Sequence, residues 1–303
     1  MAPARLLLSP ARYRRICVVA LWALCGIVVT GAAVRLTGSG LGCSDWPKCE
    51  RGSVVAPWEF RAQVEFINRL ITGLVSIAVI LAVGGSLLRR PRRRDLTRWS
   101  MALVAGVFAQ IIIGAFVTKS DLQYSIVAVH FGVSMVLVWA AVVLVDRAGR
   151  PDDSPGRTAR PGWANAVFVA TVAVLCTGPV VTSTGPHAGS EDVKRLPLDL
   201  GAVTRVHSLT VWILCALVGW VAWAHRSAPP GPLRTSVVEL LAAIVIQGGI
   251  GYLQYFTGVP AVLVAAHVAG ATVVWVLAVR LVLASSDDAR LDPIDDPPGV
   301  LAR

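Results

Sequence analysis

The chain has 303 residues, 55% of them hydrophobic and 15% charged, with a formal net charge of +10 and a mean hydropathy of +0.67. A soluble domain of this length needs more charge on its outer face, so the composition points to membrane embedding. It excludes a disordered chain and a typical soluble α/β enzyme, and six cysteines are too few for a secreted disulfide scaffold.

A hydrocarbon core about 30 Å thick is crossed by about 20 apolar residues in a helix. Eight stretches meet that requirement: 16–34, 65–88, 99–118, 124–145, 163–183, 203–224, 235–256 and 261–284. Arginines gather before the first (Arg5, Arg12, Arg14, Arg15), between the second and third (Arg89, Arg90, Arg92, Arg93, Arg94), and between the fourth and fifth (Arg147, Arg150, Arg157, Arg160). Further ones lie between the sixth and seventh (Arg226, Arg234). These loops share one side, and the positive-inside rule makes that side cytoplasmic, with both termini on it. Topology alone thus accounts for the positive charge, and no nucleic-acid partner is expected. The loops 35–62, 119–123, 184–202 and 257–260 fall outside.

The two halves repeat. Gln110-Ile-Ile-Ile-Gly114 precedes His130 by the same spacing as Gln247-Gly-Gly-Ile-Gly251 precedes His267. Val28-Val-Thr-Gly31 likewise echoes Val180-Val-Thr-Ser183. With four helices per half, orientation is preserved, which makes a parallel repeat about an axis along the membrane normal. The expected fold class is therefore all-α integral membrane, eight transmembrane helices forming two four-helix bundles related by a parallel pseudo-twofold repeat. Its parts are a cytoplasmic N-terminus (1–15), an N-terminal half (16–145), a linker (146–162), a C-terminal half (163–284) and a disordered cytoplasmic tail (285–303).

His130, His207 and His267 interrupt apolar helices. An ionisable group there is costly and has a specific partner. One reading is a neutral imidazole bonded to a neighbouring helix. The other is haem ligation, in which imidazoles on two facing helices bind iron from both faces. His207 and His267 would then clamp a haem in the second half. In the first half, His130 is the mate of His267, but the mate of His207 is Asn68, a poor iron ligand. His187 lies in an outer turn, and His225 at the cytoplasmic end of the sixth helix reads as an interface residue.

Glu65 precedes Asn68 by three residues, on the same helix face. It is either an interfacial carboxylate paired with Arg61 or Arg69, or a proton-handling group beside the first-half pocket. Cys43 and Cys49 share one outer loop, where two thiols pair as a disulfide. That bond is a loop staple or a redox-active dithiol. Arg35, Arg69 and Arg205 gather near outer helix ends and are either snorkelling residues or partners for haem propionates. Glu239 reads as reaching headgroups, and Trp99 and Trp163 as interface anchors.

The segments Val34-Arg-Leu-Thr-Gly-Ser-Gly-Leu-Gly-Cys-Ser-Asp-Trp-Pro-Lys-Cys49, Glu65-Phe-Ile-Asn-Arg69 and Thr184-Gly-Pro-His-Ala-Gly189, with the helix histidines, resemble bacterial heme A synthase. The resemblance implies two similar four-helix bundles. It also implies oxidation of the C8 methyl of heme O to the formyl of heme A by two hydroxylations and loss of water, serving assembly of cytochrome c oxidase in the cell membrane. By that resemblance His207 and His267 hold a heme b cofactor, His130 takes the iron of the substrate haem, and Glu65 matches the family's glutamate on the second helix; Asn68, found through the repeat, joins Glu65 and His130 as a catalytic candidate. Cys43 and Cys49 match the family's outer cysteine pair. Two departures stand out: the family often has histidine at Asn68, and residues 184–202 lack a second cysteine pair. Implied partners are heme O, heme O synthase and an unidentified membrane electron donor, with homo-oligomerisation left open. A transmembrane bis-histidine b-type cytochrome that only transfers electrons is the main alternative, and a transporter or haem-handling chaperone the third class.

Overall fold

The computed structural model describes residues 7–50, 52–53, 55–152 and 159–288. Among these residues there are eight helices: α1 (Pro10–Leu36), α2 (Phe60–Leu88), α3 (Arg94–Lys119), α4 (Tyr124–Gly149), α5 (Gly162–Thr184), α6 (Leu200–Ala224), α7 (Pro232–Phe256) and α8 (Ala261–Asp288). Each is long and apolar enough to cross a membrane. Their exposed faces carry large apolar side chains such as Trp22, Phe108, Val169 and Ile246, which suits lipid and not water.

All eight expected spans are present, and several run further than the apolar stretches do. α1 starts at Pro10 because Ser9 accepts a hydrogen bond from the Arg12 amide and Pro10 occupies the first turn. Its basic first turns are helical although they lie outside the apolar run. α8 likewise continues to Asp288, with Ser285 and Ser286 buried, so residues 285–288 of the expected disordered tail are helical. The rest of that tail, and Arg157 of the linker, lie outside the described residues. Asp199 caps α6 by accepting from the Ala202 amide.

α1 packs on α2 and α4, and α3 closes the ring by packing on α2 and α4. α5 and α7 each pack on α6 and α8 to close a second ring. The rings meet along α4 and α8, flanked by α1 against α8 and α5 against α4. Exchanging the two sets of four helices reproduces this pattern, which is compatible with the pseudo-twofold. At the seam Trp275 of α8 donates from Nε1 to the Met135 carbonyl of α4 at 2.8 Å. Its ring lies 5.4 Å from Phe168 of α5.

The two ends of the bundle differ. At the end holding the described ends of the chain, Arg89 is fully buried, paired with Asp152 at 2.6 Å and bonded to the Pro91 carbonyl. Arg93 reaches the carbonyls of Arg147 and Arg150. The short linker is thereby tied to the loop between α2 and α3. At the opposite end lies the loop between α1 and α2, closed by the Cys43–Cys49 disulfide. This disulfide end also joins the halves: the Gly40 amide donates to the Gly189 carbonyl at 3.0 Å, and Arg35 donates to the Thr182 carbonyl at 2.6 Å.

Candidate active site

His207 stands on α6, toward the disulfide end. Its Nδ1 is 2.8 Å from Thr177 Oγ1 on α5. Thr177 Oγ1 is in turn 3.2 Å from Thr210 Oγ1, and Thr210 donates to the His207 carbonyl at 2.7 Å. One ring nitrogen is thus held by a hydroxyl network, which fixes the ring and leaves Nε2 available. The next residue on α5, Gly178, lies against the ring: a Cβ there would sit 3.6 Å from His207 Cε1.

His267 of α8 faces it. The ring centroids are 6.5 Å apart and the planes cross at 71°. Two metal–imidazole bonds of about 2 Å each, plus two ring radii, span a distance of that order. Gln247 of α7 donates from Nε2 to the His267 carbonyl at 2.7 Å. Gly251 leaves room for the ring, since a Cβ there would come within 3.0 Å of Cε1. His267 Nδ1 is buried without a hydrogen-bond partner. Among the described residues no three His, Cys, Asp or Glu side chains converge as a metal site. A lone pair of imidazoles suits an iron whose remaining ligands come from a porphyrin. The residues therefore fit a haem between α6 and α8.

The first half repeats one side of this arrangement. Gln110 donates to the His130 carbonyl at 2.9 Å, and a Cβ at Gly114 would sit 3.6 Å from His130 Cε1. His130 Nδ1 is buried without a partner, like His267 Nδ1, and so are Gln110 Oε1 and Gln247 Oε1. The other side differs: Asn68 Oδ1 accepts from Thr30 Oγ1 at 2.9 Å.

Glu65 is buried, 6% exposed. Its Oε1 is 2.5 Å from Arg69, and its Oε2 accepts from the Cys43 amide at 2.9 Å. Arg69 also donates to the carbonyls of Asp45 and Lys48 at 3.0 Å. The carboxylate therefore fastens the disulfide loop onto α2, one turn above Asn68. Of the two partners considered, Arg69 takes it, while Arg61 pairs with Glu191 at 2.8 Å. Arg35, Arg69 and Arg205 do not form one cluster: Arg69 is spent on the loop, Arg35 on Thr182, and Arg205 is exposed near Asp199.

Two other residues, His225 and Glu239, depart from expectation. His225 is buried, bonded to the Val221 carbonyl and edge-on to Trp163. Glu239 pairs with Arg280 of α8 at 3.1 Å, so it joins two helices where a headgroup contact is expected. His187 bonds the Val259 carbonyl at 2.9 Å, linking two loops at the disulfide end. Thr177 and Thr210 carry no sequence signal of their own, because a threonine in an apolar helix usually bonds its own preceding turn, whereas Thr30 belongs to the repeated Val-Val-Thr segment. The glutamines do carry one, as landmarks of the repeat.

Residues 14–279 match the family described as cytochrome oxidase assembly protein. That span takes in Cys43, Cys49, Glu65, Asn68, His130, His207 and His267. The heme A synthase of Symbiobacterium thermophilum is 31% identical over 260 residues, covering 76% of this chain and 83% of that protein. The chain belongs to the heme A synthase family. A second heme A synthase, from Listeria monocytogenes, is 27% identical over 282 residues, 86% of this chain and 91% of the relative. A third, from Lysinibacillus sphaericus, is 29% identical over 217 residues, 65% and 69% of the two chains. Within the heme A synthase family this chain is a multi-pass membrane protein, and the family is one of oxidoreductases.

Proposed function

We propose that this chain oxidises the C8 methyl group of heme O to the formyl group of heme A, for assembly of cytochrome c oxidase. Heme b is the cofactor, held by His207 and His267, and the substrate haem is taken by His130 in the first half. The observation that carries this reading is the facing imidazole pair at 6.5 Å, with Thr177 orienting one ring and Gly251 giving room to the other. Bound there, heme b supplies one-electron transfer. Thr177 orients the His207 ring, Gln247 fixes the α8 backbone at His267, and both imidazoles would bind iron in their neutral form. Glu65 is a carboxylate one helical turn from Asn68, and oxidation of a methyl group to an aldehyde moves protons as well as electrons. We assign it the proton-handling role, at a position where it contacts Arg69 and the Cys43 amide. The arginine-rich end faces the cytoplasm, so the disulfide end faces outward. Heme O synthase would supply the substrate, and an unidentified membrane donor would be the redox partner of the heme b that His207 and His267 would hold.

Purified full-length protein from cells that make heme O tests this. Extraction and mass measurement should find heme b together with heme A or a hydroxylated intermediate. Heme b alone would leave a b-type electron-transfer cytochrome, and no haem would overturn both readings. His207→Ala or His267→Ala should each remove most heme b by pyridine haemochrome, whereas His130→Ala should keep it and lose turnover. Full heme b retention in both second-half variants would refute the assignment.

A further inference from the structure

In the second half His207 is one member of a polar set: Thr177 bonds its ring nitrogen and Thr210 bonds Thr177. The register that pairs Val28-Val-Thr30 with Val180-Val-Thr182 pairs Thr177 with Cys25. The register that pairs Asn68 with His207 pairs Ile71 with Thr210. The first half has therefore replaced the imidazole, the hydroxyl that orients it and the hydroxyl behind that one. The Asn68 amide turns instead to Thr30, nearer the disulfide end of α1, whose hydroxyl it accepts at 2.9 Å. A neutral amide oxygen already accepting a hydrogen bond is a weak donor to iron, and the partner needed to aim a stronger ligand is gone. On the facing side nothing comparable is lost: His130 keeps its glutamine, its glycine and its unpartnered ring nitrogen.

We propose that the first half binds the substrate haem through His130 alone, and that Asn68 and Thr30 leave the opposite coordination position of the iron open to a small ligand. Asn68 is here a positioning residue that lines the open face. This inference rests on the reading that His130 takes a haem, and the experiment separates the two.

Full-length protein in detergent, carrying its second-half heme b, is loaded with heme O, reduced and exposed to carbon monoxide. The expected result is two haems per chain, of which one binds carbon monoxide, with that one lost in His130→Ala. In Asn68→His, and in Asn68→His combined with Cys25→Thr, the second haem should still bind but become low-spin and inert to carbon monoxide. The double variant restores both the imidazole and its orienting hydroxyl, so it covers the case in which the single variant folds poorly. Two haems that are both low-spin and inert in the natural chain, one of them dependent on His130, would overturn the open position and leave the substrate site standing. Carbon monoxide binding unchanged in a folded double variant would also overturn it. Loading that stops at one haem and ignores His130→Ala would overturn the substrate site itself, and this inference with it.

Discussion

Glu65 has two attachments with separable consequences. Its carboxylate binds the disulfide loop through the Cys43 amide and shares a buried ion pair with Arg69. Glu65→Gln keeps the shape and an acceptor oxygen but loses the charge. The expected outcome is intact folding and second-half heme b, with heme A formation reduced by at least about tenfold, the low end of acid–base effects. Heme A yield in cells at matched protein level checks it, and a near-normal yield would reduce Glu65 to a structural charge. Glu65→Ala should in addition destabilise by about 1–3 kcal/mol, because it leaves the buried Cys43 amide without its acceptor and takes the carboxylate from Arg69. A lowered unfolding midpoint in detergent would register that loss. The sequence places Glu65 on the Asn68 face but leaves its partner open. The deciding contact crosses from a loop far away in the chain, and no helical periodicity reports it.

At the level of elements, glycines set how closely helices approach the histidines. At Gly178 and Gly114 a Cβ would make ordinary contact at 3.6 Å, whereas at Gly251 it would press on the His267 ring at 3.0 Å. Gly251→Ala should therefore displace that ring and lower heme b retention, while Gly178→Ala should leave it near normal. Pyridine haemochrome of the two purified variants distinguishes them, and equal retention in both would refute the steric account. The loop between α1 and α2 is the second such element. Cys43 and Cys49 are 2% and 1% exposed, so their bond should resist reduction in folded protein and appear as linked peptides in unreduced mass spectra. Replacing both by alanine should cost about 2 kcal/mol, as expected for a short closed loop, and thermal unfolding in detergent would show it. Gly42 adds a backbone constraint: a Cβ there would press on the Arg61 carbonyl and lie 2.8 Å from the Ala62 amide. The number of helices and their halves are legible from hydropathy, because a membrane span must be apolar for its whole length. The helix ends are not: caps such as Ser9 and helical turns beyond the apolar run are local polar features that hydropathy does not register.

Across the whole molecule the seam combines apolar packing of α8 and α5 on the first-half core with a few bonds, and the repeat does not account for all of them. Trp275 reaches from α8 to the Met135 carbonyl of α4 and packs on Phe168 of α5. Trp275→Phe removes the hydrogen bond and keeps most of the packing, for about 0.5–1.5 kcal/mol. Trp275→Ala also opens a void, for about 3–5 kcal/mol. Unfolding midpoints of the two variants should rank in that order, and equal midpoints would show that the seam does not rely on this side chain. The histidine placement and the Asn68 asymmetry are readable in sequence because ionisable residues stand out in apolar helices. The ion pairs of Arg89 with Asp152 and of Glu239 with Arg280 are not, since each arginine has several acidic residues within reach until the helices are packed.

Gln110 and Gln247 each donate to the backbone carbonyl of the histidine that follows in their own half. That clasp persists in both copies, while the opposite wall of the pocket has changed at Cys25, Asn68 and Ile71. An ancestral duplication that kept the clasp would have started with two equal pockets, and the later specialisation needed only the loss of an imidazole and its orienting hydroxyls from one wall. New purpose in this lineage would then have come by subtraction, with no fresh ligand invented and no helix moved. A reconstructed ancestor should carry histidine and threonine on both walls.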